Sequence, residues 1–357
     1  MAVIEVDPTR NTKARNRTRA RRLRAGSAAL VAAAALLTAC GTGSNDDASI
    51  VRTTTNIAGA DVVGIERDTR QACPLPTDPD QASGTHEVNG VQAPADPQRI
   101  VVLDTPALDA ACSLGLWKRI VGAATVAGPT PQPSYLGTGI AIVPGIGGVG
   151  SPDAARIAAL HPDLIVGTAG DGGADALRSI APTVLVPAGA WQDTYTAYAD
   201  AMGRRGAAAK ALDAYHADAR GLGARIAASF SQASVVRFSG NDIQVLGNDS
   251  FAGQVLADAG VQRPGPQRSH SYTVSALGTE AERAKVEGDI IYVLFDGDEG
   301  KSYGQRVMKG ADWKKLGAAT DKRLFNVEDD IWHGSGVTAA RAMLEDLRAT
   351  LNAYVSD

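Results

Sequence analysis

The feature that most constrains this chain is one long apolar stripe near its middle. Between Ala207 and Phe230, the residues Leu212, Tyr215, Ala219, Leu222, Ile226 and Phe230 recur at spacings of three and four. That period puts them on one side of a helix. On either side of this helix the pattern changes to short apolar runs alternating with short helical stretches. Upstream, strands are expected at Ile100–Leu103, Ile120–Ala123, Asp163–Gly167 and Thr183–Val186, with helices at Ala107–Leu114, Ala174–Ile180 and Gln192–Met202. Downstream, strands are expected at Ser234–Phe238, Ile243–Leu246 and Ile290–Phe295, and helices at Phe251–Ala259, Gly304–Met308, Trp313–Leu316 and Val337–Tyr354. Alternation of this kind indicates parallel α/β sheets. The expected fold is therefore α/β: two Rossmann-like lobes, 97–206 and 232–357, joined by a single long backbone helix, 207–231, with a ligand cleft between them. In open α/β sheets ligands sit beyond the carboxyl ends of the strands.

The N-terminus carries a separate message. Residues 1–39 hold eight basic residues against Glu5 and Asp7, which leaves 27 basic and 37 acidic residues in the rest of the chain. A body with a net charge of −10 offers no basic surface for phosphates, so nucleic acid is excluded as a partner. The basic stretch runs into about 11 apolar residues and then Leu37-Thr38-Ala39-Cys40-Gly41, the parts of a secretory signal. The apolar run is shorter than the ~20 residues that span a bilayer. The last five residues look like a bacterial lipobox, which would make 1–39 a lipoprotein signal peptide and Cys40 an acylated N-terminus. Arg21-Arg22 leaves the export route, general or twin-arginine, open. Residues 40–96, rich in Thr, Asp, Gly, Pro and Ala, read as a tether with one short strand near Asp61–Ile65. The expected location is the outer face of the cytoplasmic membrane.

With Cys40 on lipid, Cys73 and Cys112 are an even pair in an oxidising compartment, and a disulfide is expected between them. It would staple the extension to the first helix of the body. No CxxC suggests a metal, and the five histidines share no ligand spacing, so neither a metal site nor a cofactor is expected. Gly145-Ile146-Gly147-Gly148-Val149-Gly150 matches G-x-G-x-x-G, with Asp171 about 20 residues on. Pro144, however, interrupts the strand that should run into the first glycine, and the helix that follows has only about two turns. A tight loop entering a helix is the better reading. HExxH, GxSxG and Walker patterns are absent, so the chain does not read as an enzyme.

Several segments, in order along residues 97–355, resemble the periplasmic siderophore-, haem- and cobalamin-binding family of ABC transport systems. They are Pro97–Leu103, Val149-Gly150-Ser151-Pro152-Asp153, Leu160–Gly167, Gly288–Val293, Trp313-Lys314-Lys315-Leu316 and the stretch Trp332 to Gly336. Gln132–Thr138, the Cys73/Cys112 pair and Ala259-Gly260-Val261 with Arg263-Pro264 bring it nearest to the mycobacterial iron(III)-siderophore-binding lipoproteins of that family. The resemblance implies a ferric siderophore held between the lobes by a monomer.

Such a complex is bulky, often aromatic, and already saturates its iron. It needs flat apolar walls and a few donors rather than metal ligands. With aromatics only 5% of the chain, the placing of Tyr135, Trp191, Phe251, Tyr272, Tyr303 and Trp332 in or beside loops of the expected cleft makes them the candidate walls. Arg237 and Arg268, near strand ends of the second lobe, are candidate bidentate donors to ligand oxygens. Thr105, Thr168 and Asn248 would add further polar contacts, with a simple turn cap the equal alternative for the two threonines. Haem is the alternative ligand, with His333, His270 or Tyr303 as axial group.

In this family each lobe commonly carries a docking glutamate for the permease. Here the first position is Ala155, and Val274-Ser275 is followed by Ala276 and Leu277. Asp153, Glu280 or Glu282 would have to substitute, which puts the ABC permease in doubt as partner. An envelope interaction protein on the same scaffold is the third reading.

Overall fold

The computed structural model describes residues 52–57, 60–65, 69, 72–128, 130–170 and 174–351. These fall within one unit, Ser49–Asp357. The signal segment, Cys40 and Asp171 lie outside the described residues.

Two sheets lie on either side of a helix, Arg205–Arg225. The first has the strand order Thr183–Val186, Leu164–Thr168, Ile100–Val102, Ile120–Thr125, Gly145–Gly148, Ser151–Pro152. It is parallel except for its last pair. The second has the order Arg52–Ile57, Ala60–Ile65, Leu324–Asn326, Ile290–Asp296, Ala233–Ser239, Asp242–Val245, Tyr272–Val274. Its centre is parallel, and the pairings of Asp242–Val245 with both neighbours are antiparallel. The largest buried cluster spans the inner faces of both sheets and includes the crossing helix and the C-terminal helix, Val337–Leu351. Smaller apolar clusters cover the outer face of each sheet. The two lobes therefore share one core.

Local chemistry accounts for many of the boundaries. Asp104 caps the helix Thr105–Ser113 by accepting from the Ala107 amide at 2.8 Å, with Pro106 in the first turn where its missing N–H costs nothing. Ser250 and Thr279 cap Phe251–Asp258 and Glu280–Val286 in the same way. The crossing helix ends earlier than its stripe suggests. Ala227 adopts φ +50°, a short 3-10 turn follows, and Phe230 is left 87% exposed while Tyr215, Ala219, Leu222 and Ile226 are buried.

Three other segments differ from the sequence reading. The stretch read as tether contains two hairpins. Ala60–Ile65 joins the second sheet through Val62 opposite Leu324, and Thr85–Val88 pairs with Val91–Pro94 across an Asn89-Gly90 turn whose φ values are +51° and +76°. Asn-Gly between alternating residues is a strong hairpin signal. Gly145–Gly148 forms a strand that folds back on Ser151–Pro152, so the glycine-rich run is a hairpin at a sheet edge. The helix expected at Gly304–Met308 begins at Gly297. Among the described residues no helix is long and apolar enough to cross a membrane.

Candidate functional site

The extension reaches the first lobe through a disulfide, Cys73–Cys112, with Cα atoms 4.7 Å apart. Cys112 lies in the helix Thr105–Ser113, whose neighbour Gly115, at φ +71°, faces the Leu75 carbonyl so closely that a side chain would collide with it.

At the carboxyl end of the second sheet, Arg237 anchors a charged cluster. Its Nε and Nη2 donate to the two oxygens of Asp329 at 2.7 and 2.9 Å, Nη2 also lies 3.1 Å from Asp296, and Nη1 donates to Gln244 at 3.3 Å. Ser239 donates to the other oxygen of Asp296 at 2.6 Å. His333 is exposed beside this cluster; desolvation and the Arg237 charge lower its pKa, while Asp329 and Asp296 pull it the other way. Glu328, one residue before Asp329, accepts from Ser134 of the first lobe at 3.1 Å. This bond ties the two lobes together.

Beside this cluster lies a pocket of about 430 Å³ whose lining includes Gln244, Leu246, Ser250, Phe251, Tyr272 and His333. Gln244 belongs both to the pocket and to the Arg237 cluster. Behind it three aromatic rings meet from three parts of the chain. Trp191 of the first lobe stands edge-on to Tyr215 of the crossing helix at 5.3 Å and to Phe251 of the second lobe at 5.6 Å. Tyr215 donates to Asp258 at 2.8 Å, whereas the Trp191 indole N–H is buried without an acceptor. A larger hollow, about 620 Å³, lies elsewhere against the Asn89-Gly90 hairpin, with Asp80, His86, Asp200 and Arg205 among its lining. Those four groups already bond to one another's backbone or side chains.

The structure thus brings together Phe251, Tyr272 and His333, with Arg237 and Trp191 adjoining. Other expected residues have different places. Tyr135 and Trp332 are interior: the Tyr135 hydroxyl donates to Asp109 at 3.1 Å, and Trp332 packs on Tyr292 at 4.2 Å with its indole donating to Asp346 at 2.7 Å. Neither ring offers a wall in this conformation, because each sits in the shared core with its polar atom satisfied. Tyr303 packs in the outer layer against Phe238 at 6.0 Å, under Arg306, and does not line the pocket. Thr168, at the end of its strand, is engaged by the capping carboxylate, its amide and hydroxyl donating to Asp104 at 2.6 and 2.8 Å. Thr105 opens the same capped helix. Arg268 is exposed and donates from Nε to the Arg263 carbonyl at 2.9 Å, and Asn248 donates to the Arg268 carbonyl at 3.1 Å. His270 pairs with Asp249 at 3.1 Å, outside the lining. Tyr272 turns its hydroxyl to the Lys285 carbonyl at 2.6 Å. Sequence reasoning missed Gln244, Asp296 and Asp329, although the acidic run Glu328-Asp329-Asp330 could have suggested partners for an arginine.

At the two docking positions, Ala155 is exposed in the first turn of Ala154–Ala159, and the Asp153 carboxylate is occupied in capping that helix at 3.0 and 3.1 Å. Glu280 is exposed at the start of its helix, and Glu282 pairs with Lys285 at 3.1 Å. Among the described residues no group of three or more His, Cys, Asp or Glu side chains could hold a metal ion.

Two α/β lobes that share a core across one crossing helix have the architecture of a bilobal substrate-binding protein, although the pocket, expected between the lobes, is lined by residues of the second lobe alone. The chain belongs to the periplasmic binding protein family, whose profile matches residues 100–331, and it is a binding protein and not an enzyme. A similar chain is the probable siderophore-binding lipoprotein YfiY of Bacillus subtilis, 28% identical over 269 residues that cover 71% of this chain and 82% of that one. Among solved structures, Staphylococcus aureus SirA complexed with staphyloferrin B superposes with a TM-score of 0.64 at 23% identity, over 76% of this chain and 99% of that one. The iron-uptake system-binding protein FeuA of Bacillus subtilis superposes with a TM-score of 0.60 at 18% identity, over 75% and 100%.

Proposed function

We propose that this protein is a lipid-anchored extracytoplasmic receptor for a ferric siderophore, of aryl type, serving iron uptake. One observation carries the reading: a pocket in the second lobe of a periplasmic-binding-protein fold, flanked by the Arg237 cluster and backed by the Trp191–Tyr215–Phe251 rings. Aromatic surface suits a planar aryl chelate, and Arg237 can exchange a carboxylate for ligand oxygens of the same charge and geometry. The siderophore-binding role ascribed to YfiY and the staphyloferrin B held by SirA support a siderophore as the ligand class. Because Trp191 lies behind Phe251, titration with iron(III) complexes of catecholate, phenolate, hydroxamate and carboxylate siderophores should quench tryptophan fluorescence at micromolar concentration. The aryl complexes are expected to bind most tightly. Silence across the whole series would refute the assignment.

Haem is the second reading, favoured by the imidazole of His333 on the pocket wall. A Soret shift that disappears in His333→Ala would promote it. The anchor is proposed at Cys40. Cys40→Ser should release the protein from membranes into the soluble fraction, and retention of the variant would count against acylation there. The recipient is proposed to be an ABC permease docked through Glu280 and Asp153, or another envelope protein where those acids do not suffice.

A further inference from the structure

The C-terminal helix begins without a side-chain cap of its own. Gly336 is its N-cap residue, since the Ala340 amide donates to the Gly336 carbonyl at 3.0 Å, and glycine has no oxygen with which to satisfy the next amides. The acceptor comes from the other lobe. Asp109, in the helix Thr105–Ser113, accepts from the Thr338 amide at 2.9 Å through one oxygen and from the Ala339 amide at 2.9 Å through the other. The second oxygen also accepts from the Tyr135 hydroxyl. The carboxylate is completely buried, and burial pushes its pKa up to about 6 against the opposing pull of these three donors. Gly336, at φ +120°, lies so close to it that a Cβ there would collide with Oδ1. Just before Gly336 come His333 and Gly334, which line the candidate pocket.

We infer that Asp109 is a remote positioning residue of the binding pocket: an N-cap supplied in trans, by which the first lobe holds the His333–Gly334 wall of the second. The inference rests on the proposed reading of that pocket as the ligand site. Ligand affinity then depends on a group that touches no ligand. A helix start capped from another element moves with that element, so the His333 wall and the first lobe behave as one piece.

Asp109→Asn keeps the volume but turns an amide donor toward one of the helix N–H groups. Gly336→Ala disturbs the same contact from the opposite lobe. The matched control is Tyr292→Phe, which removes a buried hydrogen bond to Thr350 at the far end of the same helix. The test is hydrogen exchange across residues 333–340 in the unliganded protein, together with the affinity and dissociation rate of an iron(III) tris-catecholate probe. Both junction variants should raise exchange at 333–340 at least tenfold and weaken the probe at least tenfold, mainly through faster dissociation. Tyr292→Phe should lower Tm without that local signal. Unchanged exchange at 333–340, or raised exchange with unaltered probe affinity, would overturn the inference. Raised exchange in a protein whose wild type binds none of the chelates would support the strut and overturn the siderophore reading.

Discussion

Replacing Cys73 and Cys112 together by serine is expected to be the most destabilising change that leaves every other side chain in place. The bridge closes a loop of 39 residues, and the loss of that constraint on the unfolded chain is worth about 4 kcal/mol by loop entropy. For a chain of this size that corresponds to a fall in Tm on the order of 10 °C. The loss would be felt beyond the bridge. Thr77, four residues on from Cys73, donates to the Leu114 carbonyl at 2.7 Å, and the Thr77 carbonyl accepts from the buried Arg204 at 3.2 Å. Arg204 in turn pairs with Asp96 at 2.5 Å. The extension is therefore wired into the start of the crossing helix, and its release should expose Arg204 as well as Cys112. Calorimetry of the oxidised protein and the double serine variant decides the matter. A difference below about 1 kcal/mol would mean that these hydrogen bonds hold the extension without the covalent link.

The second large effect is expected at Arg237. Arg237→Leu leaves Asp329 and Asp296 facing each other with no cation between them, in a site where the arginine side chain is 11% exposed and Asp329 21%. Breaking a buried pair typically costs about 3–5 kcal/mol, and the greater exposure of Asp296 places this one near the lower figure. Arg237→Leu with Asp329→Leu should recover most of the loss, since the cost comes from the stranded charge rather than from the missing bond. Denaturant unfolding of the two variants tests this directly. A single variant within about 1 kcal/mol of wild type would show that water already reaches Asp329 and that the cluster is a surface feature. Ligand binding should be lost in both variants, because neither retains the guanidinium fork.

The α/β alternation, the crossing helix and the cysteine pair were all legible in the sequence, because each depends on a simple pattern: apolar period, capping residues and the two cysteines beyond Cys40. The hairpin at Asn89-Gly90 was equally local but was obscured by the composition around it. The aromatic residues divide differently. Phe251, Tyr272 and Trp191 came out at or near the pocket, whereas Tyr135 and Trp332, equally close to loops, turned inward. An aromatic side chain next to a loop can face either way, and for Tyr135 and Trp332 a buried carboxylate meets the polar atom inside. Asp109 meets Tyr135 and Asp346 meets Trp332, at separations of 26 and 14 residues.

By itself, then, the sequence determined the two-lobed class of fold, the covalent staple and a membership that rests on residues spread along the whole body. Only the tertiary structure decided which side chains meet at the junction. The Asp109 contact joins residues 229 and 230 positions apart, and Ser134 reaches Glu328 across 194. No local period encodes such pairs, because they form only when both lobes have folded and their shared core has set the distance between them.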